Sequence, residues 1–172
     1  MTTWKANEMR SNKKPHVVLD VLGPTLEFLV PPSERAAGYC IMKGTIPPGV
    51  SVPLHSHPDA ESFFLLSGRL QTLDQRKDGF EWINMNAGDF HHVPQDVKHA
   101  WKNQSNQPAV TIIVTTPRLG RFFQEIGRPA TADAFPQPPA PADIKHFVEV
   151  AARYDHWLAS PQENAAVGIK VL

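Results

Sequence analysis

Short apolar runs separated by turn-forming residues fill the chain between residues 16 and 116. The runs are rich in Val, Ile, Thr and aromatic residues, and Gly, Pro, Asn and Asp lie between them. This spacing predicts about ten strands in about 100 residues and is typical of an all-β antiparallel barrel or sandwich. Apart from the strands within residues 49–68, which are treated below, the predicted strands are His16–Leu22, Thr25–Val30, Gly38–Ile46, Arg69–Asp74, Phe80–Met85, Phe90–Pro94, Lys98–Lys102 and Pro108–Thr116.

The pattern changes in the last third of the chain. Arg118–Gly127 has apolar residues at helical spacing and ends at a glycine, which predicts a short helix. Residues 129–142 are rich in proline and have no period, so we predict an extended tether. Asp143 can cap a second helix, and residues 160–172 are predicted to be a tail in which Val167–Leu172 could add an edge strand. The apolar stripe predicted for the second helix comprises Ile144, Phe147, Val148, Ala151 and Leu158.

Composition and charge argue against a nucleic-acid-binding protein or a membrane protein. Hydrophobic residues make up 41% of the chain, and 17 basic side chains balance 17 acidic ones, so the formal net charge is zero. This balance gives no sign of the basic surface that nucleic acids or anionic membranes attract. The most apolar run, Ala109–Val114, is too short to span a bilayer, and residues 1–15 lack the apolar stretch of a signal peptide. Because Cys40 is the only cysteine, no internal disulfide can form, and we predict a cytoplasmic protein without nucleic-acid or membrane partners.

The stretch Gly49–Gly68 carries the first group of metal-binding residue types. It places His55, His57 and Glu61 within seven residues, on a segment that favours a strand. Successive side chains of a strand point to opposite faces, so His55 and His57 share one face. Glu61 shares that face only if the intervening turn preserves the alternation. Imidazole nitrogens with a carboxylate suit one divalent transition metal (Fe, Mn, Ni, Cu, Co or Zn) rather than Ca or Mg.

A second stretch farther along the chain, Gly88–Asn103, contains His99, a fourth candidate ligand. Together the two stretches resemble the paired motifs of the cupin superfamily, G-x5-H-x-H-x3-E-x6-G and G-x5-P-x-G-x2-H-x3-N. Asp96 stands where the second motif has a glycine, and this departure affects a turn rather than a ligand, because Asp tolerates a left-handed backbone. The motif positions that the chain fills are Gly49, His55, His57, Glu61 and Gly68, followed by Gly88, Pro94, His99 and Asn103.

The resemblance implies an antiparallel double-stranded β-helix, the cupin or jelly-roll barrel, with a metal at its open end. We expect a polar arm over residues 1–15, the barrel over residues 16–117 and a helical extension over residues 118–172. The helical extension is itself similar to that of small quercetinase-like cupins. The metal ligands that the resemblance implies are His55, His57, Glu61 and His99.

Three nitrogens and one oxygen leave a coordination position open on a metal that accepts five or six ligands, as a catalytic site requires. The resemblance to quercetinase-like cupins implies a metal-dependent dioxygenase of a small metal-chelating substrate, flavonol- or enol-like. Glu61 would be the catalytic base toward a substrate hydroxyl, although it can equally be a plain ligand. A metal-dependent isomerase or decarboxylase with the same site, and a non-catalytic small-ligand-binding cupin, remain alternatives.

Four further side chains are candidates for a substrate pocket. Cys40 and Met42 alternate with Lys43, whose charge indicates the solvent-exposed face of the strand. Both are therefore predicted to point inward. Phe63 and Trp101 each lie two residues beyond a ligand and face the same cavity if their strands are regular. Ordinary barrel core is the alternative interpretation of these two aromatic residues.

Two other features bear on the mouth of the barrel and on assembly. His91 and His92 point to opposite faces, so one of them could reach the mouth, although a surface position is the simpler interpretation. The resemblance to small cupins implies a homodimer, and an exposed apolar stripe on the second helix would suit one.

Overall fold

The computed structural model describes residues 17–32, 38–130 and 138–170. These residues form twelve strands and three helices, and the first ten strands follow one another as the apolar runs predict. The strands are β1 (Val18–Asp20), β2 (Thr25–Val30), β3 (Cys40–Ile46), β4 (Ser51–Ser56), β5 (Glu61–Ser67), β6 (Arg69–Arg76), β7 (Gly79–Asn86), β8 (Phe90–Val93), β9 (His99–Lys102), β10 (Ala109–Thr115), β11 (Arg128–Ala130) and β12 (Trp157–Leu158). The helices are α1 (Pro117–Ile126), α2 (Pro141–Arg153) and α3 (Pro161–Ala166).

The strands form two sheets that enclose the core between them. One sheet has seven strands in the order β11-β1-β2-β3-β10-β5-β8, and the other has five in the order β12-β4-β9-β6-β7. Every strand pairing in the described residues is antiparallel. The predicted fold class, an all-β antiparallel barrel with a helical C-terminal part, is confirmed.

Alternation along β3 shows how the sequence sets the inner face. Cys40 and Met42 are fully buried and Ile46 is 8% exposed. Lys43, between them in sequence, points outward, and its Nζ lies 3.4 Å from the Glu27 carboxylate. Successive residues of a strand point to opposite sides, so the one charged residue of β3 marks the outer face, as predicted.

Helix α1 packs closely on the barrel. It begins after Thr116, whose hydroxyl accepts a backbone N–H three residues later at 3.2 Å, and it ends before Gly127, as predicted. Gly120 faces the barrel, where an added Cβ would lie only 2.8 Å from Cys40 Sγ. The absence of a side chain at Gly120 therefore lets the helix approach strand β3.

The prediction of a continuous tether over residues 129–142 is wrong at its start. Arg128–Ala130 form β11, which pairs with β1 at the edge of the seven-stranded sheet. Residues 131–137 lie outside the described residues. Asp143 is not the cap of α2, since the cap residue is Ala140, whose N–H donates to the Asp143 carboxylate at 2.8 Å. Asp143 thus stabilises the helix from its third position.

The predicted stripe on α2 is also partly wrong. Ile144 and Val148 are 43% and 49% exposed, whereas Ala151, which belongs to the same stripe, is buried in the cluster between α1 and α2. Leu158 is not on the helix but in β12, which adds an edge strand to β4. This edge strand forms before the predicted tail. Residues 161–166 of that tail form α3, residues 167–170 are not in a strand, and residues 171–172 lie outside the described residues.

Two further predictions concern the chain as a whole. Within the described ranges, no helix combines the length and the apolar character that crossing a membrane requires. The division at residue 117 stays a prediction. Strands β11 and β12 nevertheless join the predicted extension to both sheets.

Candidate metal centre

Strands β4 and β9 bring together two histidines from separate parts of the chain. His55 in β4 lies directly opposite His99, the first residue of β9, and the two ring centroids are 4.3 Å apart. Their sequence neighbours Leu54 and Ala100 belong to a separate cluster on the other side of this sheet. Because side chains alternate, both histidines point into the barrel.

His57 and Glu61 complete the group. The His57 ring centroid lies 5.6 Å from that of His55 and 5.1 Å from that of His99. Glu61 begins β5 in the opposite sheet, and its Oε2 lies 3.3 Å from His57 Nε2 and 3.5 Å from His99 Nε2. Glu61 and Phe63 are both buried, so the turn after His57 preserves the alternation on which the orientation of Glu61 depends. The group therefore bridges the two sheets.

The three imidazoles are arranged as a transition-metal site requires. His55, His57 and His99 each offer one nitrogen, and these three atoms lie within 4.8 Å of one another. Nitrogens bonded to one metal at about 2.1 Å lie no more than about 4.2 Å apart, so a small inward rotation of the rings would suffice. Nε2 of His57 and of His99 is buried without a hydrogen-bond partner in the described residues. An unpaired buried polar atom destabilises by about 1–3 kcal/mol, and a bound cation would remove that cost.

Backbone carbonyls orient two of the rings. His55 Nδ1 lies 2.7 Å from the carbonyl oxygen of Pro53, and His99 Nδ1 lies 2.8 Å from that of Val97. A carbonyl only accepts, so Nδ1 donates in each ring, and in the neutral form of the ring the lone pair is on Nε2. Histidines that bind metals usually make such a second contact, which selects the tautomer and the ring orientation. The residues present therefore fit a metal bound through Nε2.

Glu61 carries the negative charge of the site. Burial raises the pKa of Glu61, but the neighbouring His57 and His99 outweigh it and hold that pKa below its usual range. Burial lowers the pKa of His57, but Glu61 and Asp59 together outweigh burial, so this pKa is raised. Burial, aided by the other two imidazoles, lowers the pKa of His55 well below its usual value, so this ring is neutral. Without a cation, protonated His57 is the counter-ion of Glu61, and metal binding would displace its proton.

Motif residues that are not candidate ligands shape the connecting loops. Gly68 has a φ of 82°, and a Cβ at this position would overlap the carbonyl oxygen of Pro108. Asp96 has a φ of 61°, the left-handed conformation that we predicted it to tolerate in place of glycine. Asn103 is buried and its Nδ2 donates to the carbonyl oxygen of Ile46 at 2.9 Å. The second motif therefore ends in a residue that holds a loop rather than a metal.

The four predicted pocket residues lie in the barrel core. Cys40 and Met42 are completely buried, and Phe63 and Trp101 are 6% and 3% exposed, with ring centroids 4.3 Å apart. Burial raises the pKa of the Cys40 thiol to about 11, so this thiol stays protonated at neutral pH. All four belong to one hydrophobic cluster, and a role toward a substrate stays a prediction.

His91 and His92 occupy opposite faces of β8, as alternation requires. His91 is partly buried, with Nε2 3.3 Å from Asp74 Oδ1 and its ring edge-on to Trp101 at 5.4 Å. Burial lowers the pKa of His91. His92 is exposed, and its ring nitrogen lies 3.0 Å from the Ser62 hydroxyl oxygen. The surface interpretation therefore fits His92 and not His91.

Sequence reasoning missed three residues that surround His57. The ring centroid of His156 lies 5.0 Å from that of His57. Asp59 is 3% exposed and accepts a hydrogen bond from the Arg118 guanidinium at 2.8 Å. Asp59 lies within the first motif, so its proximity to the ligands was a usable signal. Nothing local in the sequence connects Arg118 or His156 with that motif.

A groove of about 610 Å³ lies away from the histidines, on the outer face of the five-stranded sheet. Its walls include Trp82 and Trp157, and the ammonium groups of Lys102 and Lys98 lie 3.8 and 3.7 Å from the respective ring centroids. Each indole face is thus already covered by a lysine of the same chain. No candidate ligand lines this groove.

Comparison with known proteins points to the same part of the chain. Residues 42–115 match the sequence model of the cupin domain family. The match includes all four candidate ligands. Quercetin 2,3-dioxygenase of Bacillus subtilis (strain 168) is 27% identical to this chain over 152 residues, which are 87% of its length. The matched region is only 40% of the length of that enzyme.

Solved structures support the same fold. The oxalate decarboxylase of Bacillus subtilis at pH 4.6 aligns with a TM-score of 0.50 and 21% identity, over 60% of this chain and 27% of that enzyme. The formate complex of Lactobacillus farciminis oxalate decarboxylase aligns with a TM-score of 0.50 and 18% identity, over 59% of this chain and 30% of that enzyme. Similarity at this level shows a shared fold and leaves the reaction open.

Proposed function

We propose that this cupin is a metal-dependent dioxygenase acting on a small substrate that chelates the metal through a flavonol- or enol-like oxygen. The observation that supports a metal most directly is the meeting of His55, His57 and His99, with nitrogens within 4.8 Å of one another. The 27% identity with quercetin 2,3-dioxygenase over 87% of the chain supports the choice of reaction. Nitrogen and oxygen donors suit Fe, Mn, Ni, Cu, Co or Zn.

The three histidines and Glu61 would hold the metal. When bound, a transition metal of this kind supplies a Lewis acid that orients an enolised oxygen and dioxygen beside each other. Glu61 is 4% exposed, so a carboxylate released from the metal would be shielded from water when it accepts a substrate hydroxyl proton. The Nδ1 hydrogens of His55 and His99 donate to backbone carbonyls, so Nε2 is the atom of each ring that would bind the metal.

Elemental analysis coupled to oxygen-uptake measurements tests this proposal. Protein purified without added metal should contain about one transition-metal ion per chain, and a flavonol or catechol should stimulate oxygen uptake. His99→Ala should lose both metal and uptake, because it removes a ligand without opening the hydrophobic core. His92→Ala, which changes an exposed histidine, should keep both.

Three outcomes would contradict the dioxygenase. A metal-free protein that also fails to take up added metal would remove the proposed site. Turnover of a sugar or keto acid without oxygen consumption would point to an isomerase or decarboxylase. A bound metal with no exchangeable coordination position, together with no turnover, would point to a binding protein.

The homodimer and the cytoplasmic location stay predictions. Phe64 and Phe90 lie opposite each other in β5 and β8, and they are 42% and 64% exposed. Apolar area of this kind on the outer face of the seven-stranded sheet is compatible with a second copy. Sedimentation equilibrium of the full chain at micromolar concentration would detect it.

A further inference from the structure

All four candidate ligands lie within the matched cupin domain, residues 42–115, whereas His156 lies outside it. The His156 ring packs against two other rings. Its centroid lies 5.0 Å from that of His57, at an interplanar angle of 37°, and 4.1 Å from that of Phe122, at 36°. Phe122 is 3% exposed and belongs to the cluster between α1 and α2. The helical extension thus reaches a candidate ligand through an aromatic stack.

Strand pairing explains why His156 arrives at this position. In the β12–β4 pair, Trp157 lies opposite Ser56 and Leu158 opposite His55. The residue before Trp157 therefore continues the antiparallel register toward His57, the residue after Ser56. The main chain of the extension is aligned with the ligand-bearing segment by backbone hydrogen bonds rather than by a loose contact.

Arg118 forms hydrogen bonds with residues on both sides of the contact between His57 and His156. Its guanidinium donates to the Asp59 carboxylate at 2.8 Å, to the Tyr154 carbonyl oxygen at 2.7 Å and to the Asp155 carboxylate at 2.8 Å. Asp155 has a φ of 55°, so the turn that precedes His156 is sharp. One side chain therefore links the loop after His57 with the turn before His156.

His57 needs an external support that the other two histidines do not need. Backbone carbonyls accept hydrogen bonds from Nδ1 of His55 and of His99. Nε2 of His57 lies 3.3 Å from the Glu61 carboxylate, but neither ring nitrogen has a hydrogen bond of good geometry within the described residues. The rings packed against His57 therefore help to fix its orientation, and His156 is the one that comes from outside residues 42–115.

We propose that His156 is a positioning residue of the metal site, supplied by the C-terminal extension, whose ring holds the His57 imidazole in the orientation that a metal requires. This inference rests on the proposed metal site. His156 acts through packing and not as a ligand. Contacts that orient a ligand typically change metal affinity by about 10–100-fold when they are removed.

Metal binding by four full-length proteins tests the inference, with Co²⁺ and Zn²⁺ as the probes. The proteins are the wild type, His156→Ala, His156→Phe and the control His92→Ala. Chelator competition gives the affinity, and the visible spectrum of bound Co²⁺ reports ligand geometry independently of any activity. Thermal unfolding with a chelator present shows that each variant is folded.

We expect His156→Ala to bind Co²⁺ and Zn²⁺ about 10–100-fold more weakly than the wild type, with an altered Co²⁺ spectrum. His156→Phe, which retains a ring, should restore both properties and keeps the test valid if the alanine variant unfolds. Wild-type affinity and spectrum in His156→Ala would overturn the inference. Weak metal binding by His156→Phe together with wild-type binding by a further variant, His156→Gln, would also overturn the inference. The site would then require a nitrogen at this position rather than a ring. Failure of the wild type to bind metal would instead overturn the proposed function.

Discussion

Replacement of Glu61 by glutamine isolates the charge at the centre of the site. Glu61→Gln keeps the size of the side chain and removes its charge, while His57 and His99 remain 2% exposed. In the wild type, His57 has a raised pKa, so the stability that its charged form contributes is present below the unfolded value of 6.5 and is lost as the pH rises through the raised value. Glu61 has a lowered pKa, so its contribution is present above the unfolded value of 4.5 and is lost at lower pH. Both contributions are therefore present between these two values.

In Glu61→Gln, burial, which is the largest single influence on the pKa of His57, is opposed only by Asp59, and we expect this pKa to fall below its usual value. The variant then loses stability as the pH falls below 6.5, because His57 binds a proton in the unfolded chain but not in the folded variant. The wild type does not lose stability for this reason. A difference of one proton changes the free energy of unfolding by about 1.4 kcal/mol per pH unit, so the gap between the two proteins should widen by about 2 kcal/mol from pH 6.5 to about pH 5. At the lower pH the total difference should reach about 3 kcal/mol, as for a buried pair that has lost one partner.

Urea denaturation in the presence of a chelator, followed by tryptophan fluorescence at several pH values, measures this gap. The histidines that do not contact Glu61 are common to both proteins, so their titration largely cancels in the difference. Glu81→Gln is the matched control, since Glu81 pairs with Arg76 on the surface, and it should differ from the wild type by less than about 1 kcal/mol at every pH. A gap for Glu61→Gln that is constant, or that widens as the pH rises, would refute the assignment of a protonated His57 as counter-ion.

Three further predictions follow from named contacts. Gly68→Ala should lower the free energy of unfolding by about 1–3 kcal/mol more than Gly49→Ala, because both positions have positive φ but only at Gly68 would a Cβ overlap the backbone; equal losses in urea denaturation would contradict this. Asn164→Ala should destabilise by about 2 kcal/mol and speed amide exchange at Leu54, whose N–H donates to the Asn164 side chain at 2.9 Å; unchanged exchange would contradict it. Zn²⁺ binding near pH 6 should release about one proton per site from His57, as measured with a pH indicator, and no release would contradict the raised pKa.

The barrel could be predicted from the sequence because its signals are local. Each strand alternates, and each turn carries Gly, Pro, Asn or Asp, so the boundaries of β2 and β10 agree with the apolar runs within one residue. The candidate site could be located for the same reason. His55 and His57 are two residues apart on one strand, and the second motif supplied His99, which the register of β4 and β9 places opposite His55.

The C-terminal errors have a different cause. Leu158 was assigned to the second helix on helical period alone, yet this helix ends at Arg153 and Leu158, in β12, pairs with His55. Likewise, Arg128–Ala130 became a strand because β1 offered an open edge, not because its own sequence favours a strand. Tertiary position decided both, and neither segment encodes that position locally.

The same distinction explains why His156 was missed. A histidine in a short segment with no motif around it is most simply assigned to the surface, and the register that brings it toward His57 depends on β12 pairing with β4. That pairing is in turn supported by Asn164, whose side chain accepts the N–H of Leu54 and donates to the carbonyl oxygens of Ala159 and Ser160. The extension can therefore reach the candidate metal centre only when β4 of the folded barrel is available to pair with β12. It follows that a variant weakening this edge should impair metal binding while leaving all four candidate ligands in place.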